Sequence, residues 1–251
     1  MSARSKAKSQ LPAVRDGADE NPGAAAKVLS QIIERGSRVQ APAVKAYVDR
    51  LRQQNPAASP AEVATKLEKH YTAAVMASGA AVGSAAAFPG IGTLAALSAV
   101  AGETVVFLEA TAVYVLALAE VYGISADHRE RRRALVLAVL VGDESKQAVT
   151  DLLGPGRTSG AWLSEGAATL PLPAVSQLNS RLLRYFVKRY TLKRGAMAFG
   201  KLLPVGIGAM VGGVGNRLMA KKIIANAHRA FGNAPPRWPS ALHVLPAPNE
   251  R

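Results

Sequence analysis

The sequence predicts an all-α fold: a compact helical domain with two bent, glycine- and alanine-rich helices packed at its centre. Hydrophobic residues make up 49% of the 251 residues but aromatic residues only 5%, so the apolar content is mainly Ala, Val and Leu. Residues 73–102 contain no charged side chain, and 17 of them are Ala or Gly. Helices with such small side chains pack closely together, and a second glycine-rich segment spans residues 200–216.

The first 57 residues precede the main domain. Residues 1–20 are polar and of mixed charge, which predicts a disordered N-terminal tail. Residues 21–57 predict an accessory pair of helices, because Pro22 and Pro42 each suit the first turn of a helix and apolar residues recur at helical spacing after both.

The main domain is predicted at residues 58–232, and its start carries a helix-initiation signal. Ser59 suits the N-cap, Pro60 suits the first helical position, and Glu62 completes a capping box. The helix that begins here runs into the uncharged segment, where two glycines four positions apart share a face. These are Gly79 and Gly83.

A bend is expected in each glycine-rich segment, where proline and glycine occur together. Proline removes a backbone donor, and glycine adopts backbone angles that are closed to other residues. The residues in these bends and packing faces are Pro89, Gly90 and Gly92 in the first segment and Pro204, Gly206, Gly208 and Gly212 in the second. Two helices with matching glycine spacing are expected to pack against each other.

Three carboxylates interrupt the apolar helix predicted to end at Gly123, and we expect them to be buried. Glu109 and Glu120 are eleven positions apart, so at about 100° per residue they share a face of the helix, while Glu103 lies on another face. A buried carboxylate is costly unless it is paired. Each is therefore expected to pair with a basic residue of a neighbouring helix or to lie at the edge of the solvent.

The alternative is that these carboxylates act as metal ligands or proton acceptors in a metal-dependent hydrolase. Such an enzyme would use one of the four histidines, which are His70, His128, His228 and His243. No spacing between them matches a known metal-binding or catalytic motif. The sequence therefore predicts no catalytic residue, no metal, no cofactor and no identifiable small-molecule substrate.

Positive charge is concentrated in the last third of the chain. Residues 176–251 contain thirteen Lys or Arg and one acid, a net charge of +12, whereas residues 60–125 have a net charge of −3. An anionic membrane surface or a membrane protein is the expected partner. The alternatives are nucleic acid, for which no motif is present, and a solvated face that keeps the protein soluble. The predicted surface-binding residues are Arg181, Arg184, Lys188, Lys193, Arg194, Lys221 and Lys222.

The sequence also predicts a cytoplasmic location, peripheral to the inner face of the membrane. The chain has no Cys, which suits a reducing compartment, and its first twenty residues lack the apolar core of a secretory signal. The bend at residue 89 divides the first uncharged segment into pieces too short to span a bilayer, with insertion of a hairpin as the alternative. Residues 233–251 are proline-rich and predict a disordered tail.

Four stretches resemble the EcsC-like family of bacterial proteins. They are FPGIG at residues 88–92, LALAEVYGIS at 116–125, RRRALVLAVLVGD at 131–143 and KLLPVGIGAMVGGVGNRL at 201–218. The resemblance extends over about residues 60–232 and implies an all-helical fold in a bacterial, membrane-proximal setting, where a role related to transport or secretion fits. It supplies no catalytic residue. We therefore expect a non-enzymatic helical protein that associates with the membrane face, or with a membrane partner, through its basic C-terminal third.

Overall fold

The computed structural model describes residues 42–85, 93–124, 128–153, 170–200 and 207–239, and nearly all of these residues are helical. Helix α1 covers residues 42–54. It is followed by α2 (Pro60–Ala85), α3 (Thr93–Val121), α4 (Arg129–Val141), α5 (Asp143–Leu153), α6 (Leu172–Gly200) and α7 (Ile207–Phe231). No strand occurs in these ranges, and the predicted all-α class is confirmed.

Several predicted features lie outside the described residues. They are the N-terminal tail, the first helix of the accessory pair, residues 240–251, His243, the bend residues Pro89, Gly90 and Gly92, and Pro204 and Gly206 of the second segment.

The predicted capping box forms at the start of α2. The backbone N–H of Ser59 donates to Glu62 Oε2 at 2.7 Å, and the backbone N–H of Glu62 donates to Ser59 Oγ at 3.3 Å. The hydrogen bond from the Ser59 backbone holds the pKa of the Glu62 carboxyl below its ordinary value. These reciprocal bonds satisfy two of the donors that a helix start leaves unpaired, so α2 begins where the sequence predicts.

Two helices organise the packing. α2 makes its most extensive contacts with α7 and α3, whereas α4 packs mainly on α6 and also contacts α3, α5 and α7. Every residue of α4 from Ala134 to Val141 is buried. α1 adds to this core, since its Val44, Val48 and Leu51 belong to the same buried apolar cluster. Burial of this apolar surface is the main stabilising contribution to the fold.

The segment after α7 differs from its prediction. Residues 233–239 were expected to begin a disordered tail, but they lie against the helices. The indole Nε1–H of Trp238 donates to the backbone carbonyl of Ala58 at 2.9 Å, and the Arg52 guanidinium carbon lies 4.2 Å from the Trp238 ring centroid. Proline content indicates that a segment lacks regular secondary structure, but one aromatic residue with a free donor is enough to fix its position.

Within the described ranges, no helix combines the length and the apolar character that crossing a bilayer requires.

Candidate functional site

Helix α7 has two chemically different faces. Its inward face is buried and consists of small or apolar side chains and one amide: Ala220, Ile223, Asn226, Ala227, Ala230 and Phe231. Its outward face is exposed and carries mainly cations: Arg217, Leu218, Lys221, Lys222, Ala225, His228 and Arg229. At about 100° per residue the two sets fall on opposite sides of one helix, so the cations lie toward the solvent.

Asn226 anchors the inward face to α4. Its Nδ2 donates to the backbone carbonyl of Val139 at 2.9 Å, and its Oδ1 accepts from Arg229 Nη2 at 2.7 Å. Arg229 in turn has its Nε 3.0 Å from a carboxylate oxygen of Asp143 at the start of α5. Since the amide is buried, both of its hydrogen bonds are needed to offset its loss of water.

Gly142, between α4 and α5, makes room for this amide. Its φ is +82°, and a Cβ atom built there would lie 2.8 Å from Asn226 Nδ2. Any other residue at this position would be strained in its backbone and would push the amide away from the Val139 carbonyl. The position of the Asn226 amide on α7 therefore depends on the glycine in the turn between α4 and α5.

A second amide links α7 to α2 and α3. Asn216 Nδ2 donates to the backbone carbonyl of Val75 and to Glu103 Oε1, both at 3.0 Å. Glu103 is buried, as predicted, with 7% of its surface exposed. A buried carboxylate needs hydrogen bonds to offset its loss of water, and the Asn216 amide supplies one such bond.

The other two predicted buried carboxylates differ from Glu103. Glu109 is half-buried, and Glu120 is exposed, so the prediction of burial is wrong for Glu120. The eleven-residue spacing fixes the angle between the two side chains but not how far the neighbouring helices extend along that face. Glu120 lies in the last turn of α3 with its side chain exposed, whereas Ala119 and Val121 beside it are buried.

Within the described part of the chain, His70, His128 and His228 do not join the carboxylates of α3 in a catalytic arrangement. Tyr47 Oη lies 2.5 Å from Nδ1 of His70, His128 is exposed at the start of α4, and His228 Nε2 lies 2.8 Å from Glu68 Oε1. Among the residues that the structure describes, no group of three or more His, Asp or Glu side chains is placed to hold a metal ion. The hydrolase alternative therefore gains no support from the geometry.

The interior between α2 and α3 holds two stacked tyrosines that the sequence analysis did not single out. The rings of Tyr71 and Tyr114 lie 4.8 Å apart. The Tyr71 hydroxyl is 2.9 Å from Thr111 Oγ1, whereas the buried Tyr114 hydroxyl has no hydrogen-bond partner within the described structure. Burial raises the pKa of both phenols, and the negative charge of Glu68 raises that of Tyr114 further.

The glycine-rich segments lie in the two helices that contact each other most. His228 of α7 faces Glu68 of α2, while Asn216 faces Val75, so the two helices run antiparallel and place both glycine segments at the same end. Gly79 is buried. The surroundings of Gly83, Gly208 and Gly212 lie outside the described residues, although all three positions are helical.

The outward face of α7 also carries one exposed large apolar side chain. Leu218 is 62% exposed, whereas Met219, which is 39% exposed, lies about 100° from it around the helix, on the side of Asn226 and Ala230. Around the helix, Leu218 lies about 60° from Lys221 and about 40° from Lys222, and Arg217 precedes it. Residues 207–239 contain five Lys or Arg and no Asp or Glu. Leu218 is therefore surrounded by cations, and α7 itself contributes no negative charge to this surface.

The predicted basic set is divided between two helices. Lys221 and Lys222 are on the outward face of α7. Arg181 is half-buried on α6 and Arg184 is exposed there, next to Tyr185, which is 47% exposed. The side chains of Lys188, Lys193 and Arg194 lie outside the described residues. Because α6 packs mainly on α4 and α7 mainly on α2, the two parts of the set belong to different regions of the fold.

The sequence alone identified Lys221 and Lys222 but not Leu218, which lies between them around the helix axis. A helical projection with the buried side marked by Ala220, Ile223 and Ala227 would have placed Leu218 on the opposite side. Comparison with known proteins adds no further assignment: no family model matches the chain, and no curated protein or solved structure shows significant similarity to it.

Proposed function

We propose that this protein is a non-enzymatic helical module that attaches to an anionic membrane surface through the outward face of α7. The observation that carries the proposal is the exposure of Arg217, Lys221 and Lys222 together in a stretch without acidic residues. The resemblance to the EcsC-like family is part of the proposal, since it implies a bacterial, membrane-proximal setting, and we propose the cytoplasmic face of the membrane as the side of attachment.

The expected strength of attachment follows from the charges. Each Lys or Arg near an anionic leaflet contributes about 1 kcal/mol, so three such residues give a weak and reversible attachment. The attraction is screened beyond about 8 Å at physiological ionic strength. Binding should therefore depend on both the anionic lipid fraction and the salt concentration.

Vesicle flotation tests the proposal. We expect the full chain to float with vesicles that contain phosphatidylglycerol at low salt, to float poorly with phosphatidylcholine vesicles, and to be released by high salt. Replacing Arg217 and Lys221 together by Gln should weaken binding about 30-fold, which corresponds to about 2 kcal/mol for two charges.

The matched control removes two exposed cations from another helix. Lys45 and Arg50 on α1 are both exposed, so replacing both by Gln makes the same change in net charge on a different surface. The control should reduce binding only slightly. Equal recovery with neutral and anionic vesicles, or equal loss in both double variants, would show that α7 is not the attachment surface.

A further inference from the structure

We infer that Leu218 enters the boundary between headgroups and acyl chains of the bilayer while Arg217, Lys221 and Lys222 contact the headgroups. This inference rests on the proposed function and specifies its partner. Binding would then require both the negative charge of the headgroups and the apolar interior of the bilayer, and negative charge alone would not be enough.

Leu218 differs from the other exposed apolar side chains of the described helices. At 62% exposure it is the most exposed of the large ones, followed by Tyr185, Val106, Leu172 and Met219. Arg217 precedes Leu218 in the chain, and Lys221 and Lys222 follow it within about one turn. Moving an exposed leucine out of water lowers the free energy. Here the surrounding cations bring the leucine to an anionic bilayer, whose interior is apolar.

The shape of this surface favours lipid over a protein partner. A stable protein interface buries about 800 Å² on each side around an apolar core, and lysine is depleted there. Here the large apolar part is the single side chain of Leu218, and Lys221 and Lys222 lie on either side of it around the helix. At a membrane, by contrast, long cationic side chains lay their stems along apolar surface and keep their charges among the headgroups.

Nucleic acid is also a weaker fit. Sequence-tolerant binding to single strands uses aromatic side chains on which bases stack, and the exposed residues of α7 from 217 to 229 include no Phe, Tyr or Trp. A leucine at the centre of the cations makes no favourable contact with a phosphate backbone. The apolar centre therefore points to an occupant that has acyl chains.

The inward contacts of α7 hold Leu218 in place before binding. Asn216 and Asn226, one on either side of Leu218 in the chain, are hydrogen-bonded to carbonyls of α2 and α4. The helix that presents the leucine is therefore already formed, and attachment does not have to order it. A preformed surface loses less conformational entropy on binding than a segment that folds on the membrane.

The absence of cysteine from the chain allows a direct test. Full-length Leu218→Cys, labelled with an environment-sensitive fluorophore, should show a blue-shifted emission on phosphatidylglycerol vesicles and should be quenched by lipids that carry a nitroxide on the acyl chain. Lys45→Cys on α1 and Tyr185→Cys on α6 carry the same label at exposed positions. We expect neither to be quenched, which separates insertion at residue 218 from the affinity of the label for lipid.

An unlabelled variant provides the second measurement. Leu218→Ala should keep the circular dichroism of the parent protein and weaken vesicle binding about tenfold, whereas Val106→Ala, at an exposed position on α3, should leave binding unchanged. Binding that survives Leu218→Ala in full, with no quenching at position 218, would overturn the inference while leaving an electrostatic attachment in place. No binding to anionic vesicles by the parent protein would overturn the proposed function itself. Tighter binding to a 20-base-pair DNA duplex than to vesicles at the same salt would also overturn the inference.

Discussion

The two faces of α7 use the same stretch of chain for different purposes. On the inward face Asn216, Asn226 and Phe231 are packed or hydrogen-bonded to other helices, while on the outward face Leu218 and Lys221 are exposed. Residues of the first kind are expected to determine stability, and residues of the second kind to determine binding. Stability and binding are therefore expected to be separable on this helix. Pairs of substitutions, one on each face, test this separation.

The largest expected effect comes from the two large apolar residues of α7. Phe231 is 1% exposed and Leu218 is 62% exposed. Phe231→Ala should lower the free energy of unfolding by about 3–5 kcal/mol because it leaves a cavity next to Tyr122. Leu218→Ala should change it by less than about 0.5 kcal/mol. Urea unfolding followed by circular dichroism measures both, and a similar loss in the two variants would contradict the assignment of the faces.

The next effect concerns the amide that joins α7 to α4. Asn226→Ala leaves the Val139 carbonyl without this donor and removes the acceptor of Arg229, so the free energy of unfolding should fall by about 1–3 kcal/mol. Lys221→Ala, on the outward face of the same helix, is the control and should be nearly neutral for stability. The prediction fails if thermal melting of the two variants cannot be distinguished.

The smallest effect tests whether every inward contact is favourable. Tyr71→Phe loses the hydrogen bond to Thr111 and should destabilise the fold by about 1 kcal/mol, whereas Tyr114→Phe removes a buried hydroxyl without a partner and should be neutral or stabilising by about 1 kcal/mol. Both variants keep the stacked pair of rings. Opposite signs in urea unfolding would confirm the difference between the two hydroxyls, and equal losses would contradict it.

The Tyr114 phenol also makes the free energy of unfolding depend on pH. Burial raises the pKa of Tyr114 above the ordinary value of 10.0, so the folded chain holds this proton to higher pH than the unfolded chain does. The free energy of unfolding should therefore decrease as the pH rises above about 10. Tyr114→Phe should make this decrease less steep, and an unchanged slope between pH 9 and 11 would show that the phenol does not contribute.

Local signals in the sequence were enough to predict the start of α2 and the end of α3. Ser59, Pro60 and Glu62 marked the start of α2, and the hydrogen bonds of the capping box confirm it. This worked because capping depends on residues within one turn of each other. The end of α3 was predicted at Gly123 from a local signal of the same kind, and the helix ends at Val121, two residues before this glycine, whose φ is +69°.

Contacts between distant elements were not predictable in the same way. Asn216 and Asn226 gave no signal, because asparagine is usually exposed or located in turns, and only the assembled fold shows that a carbonyl of another helix faces each amide. Glu120 shows the same limit, since its angle on the helix was known but the extent of the neighbouring helices was not. Trp238 was assigned to a disordered tail because composition cannot show that its indole N–H donates to the backbone carbonyl of Ala58 in the folded chain.

The bond between Trp238 and Ala58 joins positions 180 residues apart, and this separation has a consequence for biosynthesis. On the ribosome the turn between α1 and α2 is made early, but the indole that covers it follows only after about 10–40 s of further translation. During that interval the nascent chain presents this turn uncovered. Chaperones and proteases therefore meet an incomplete α1–α2 region in every newly made copy, until residues 233–239 have left the exit tunnel.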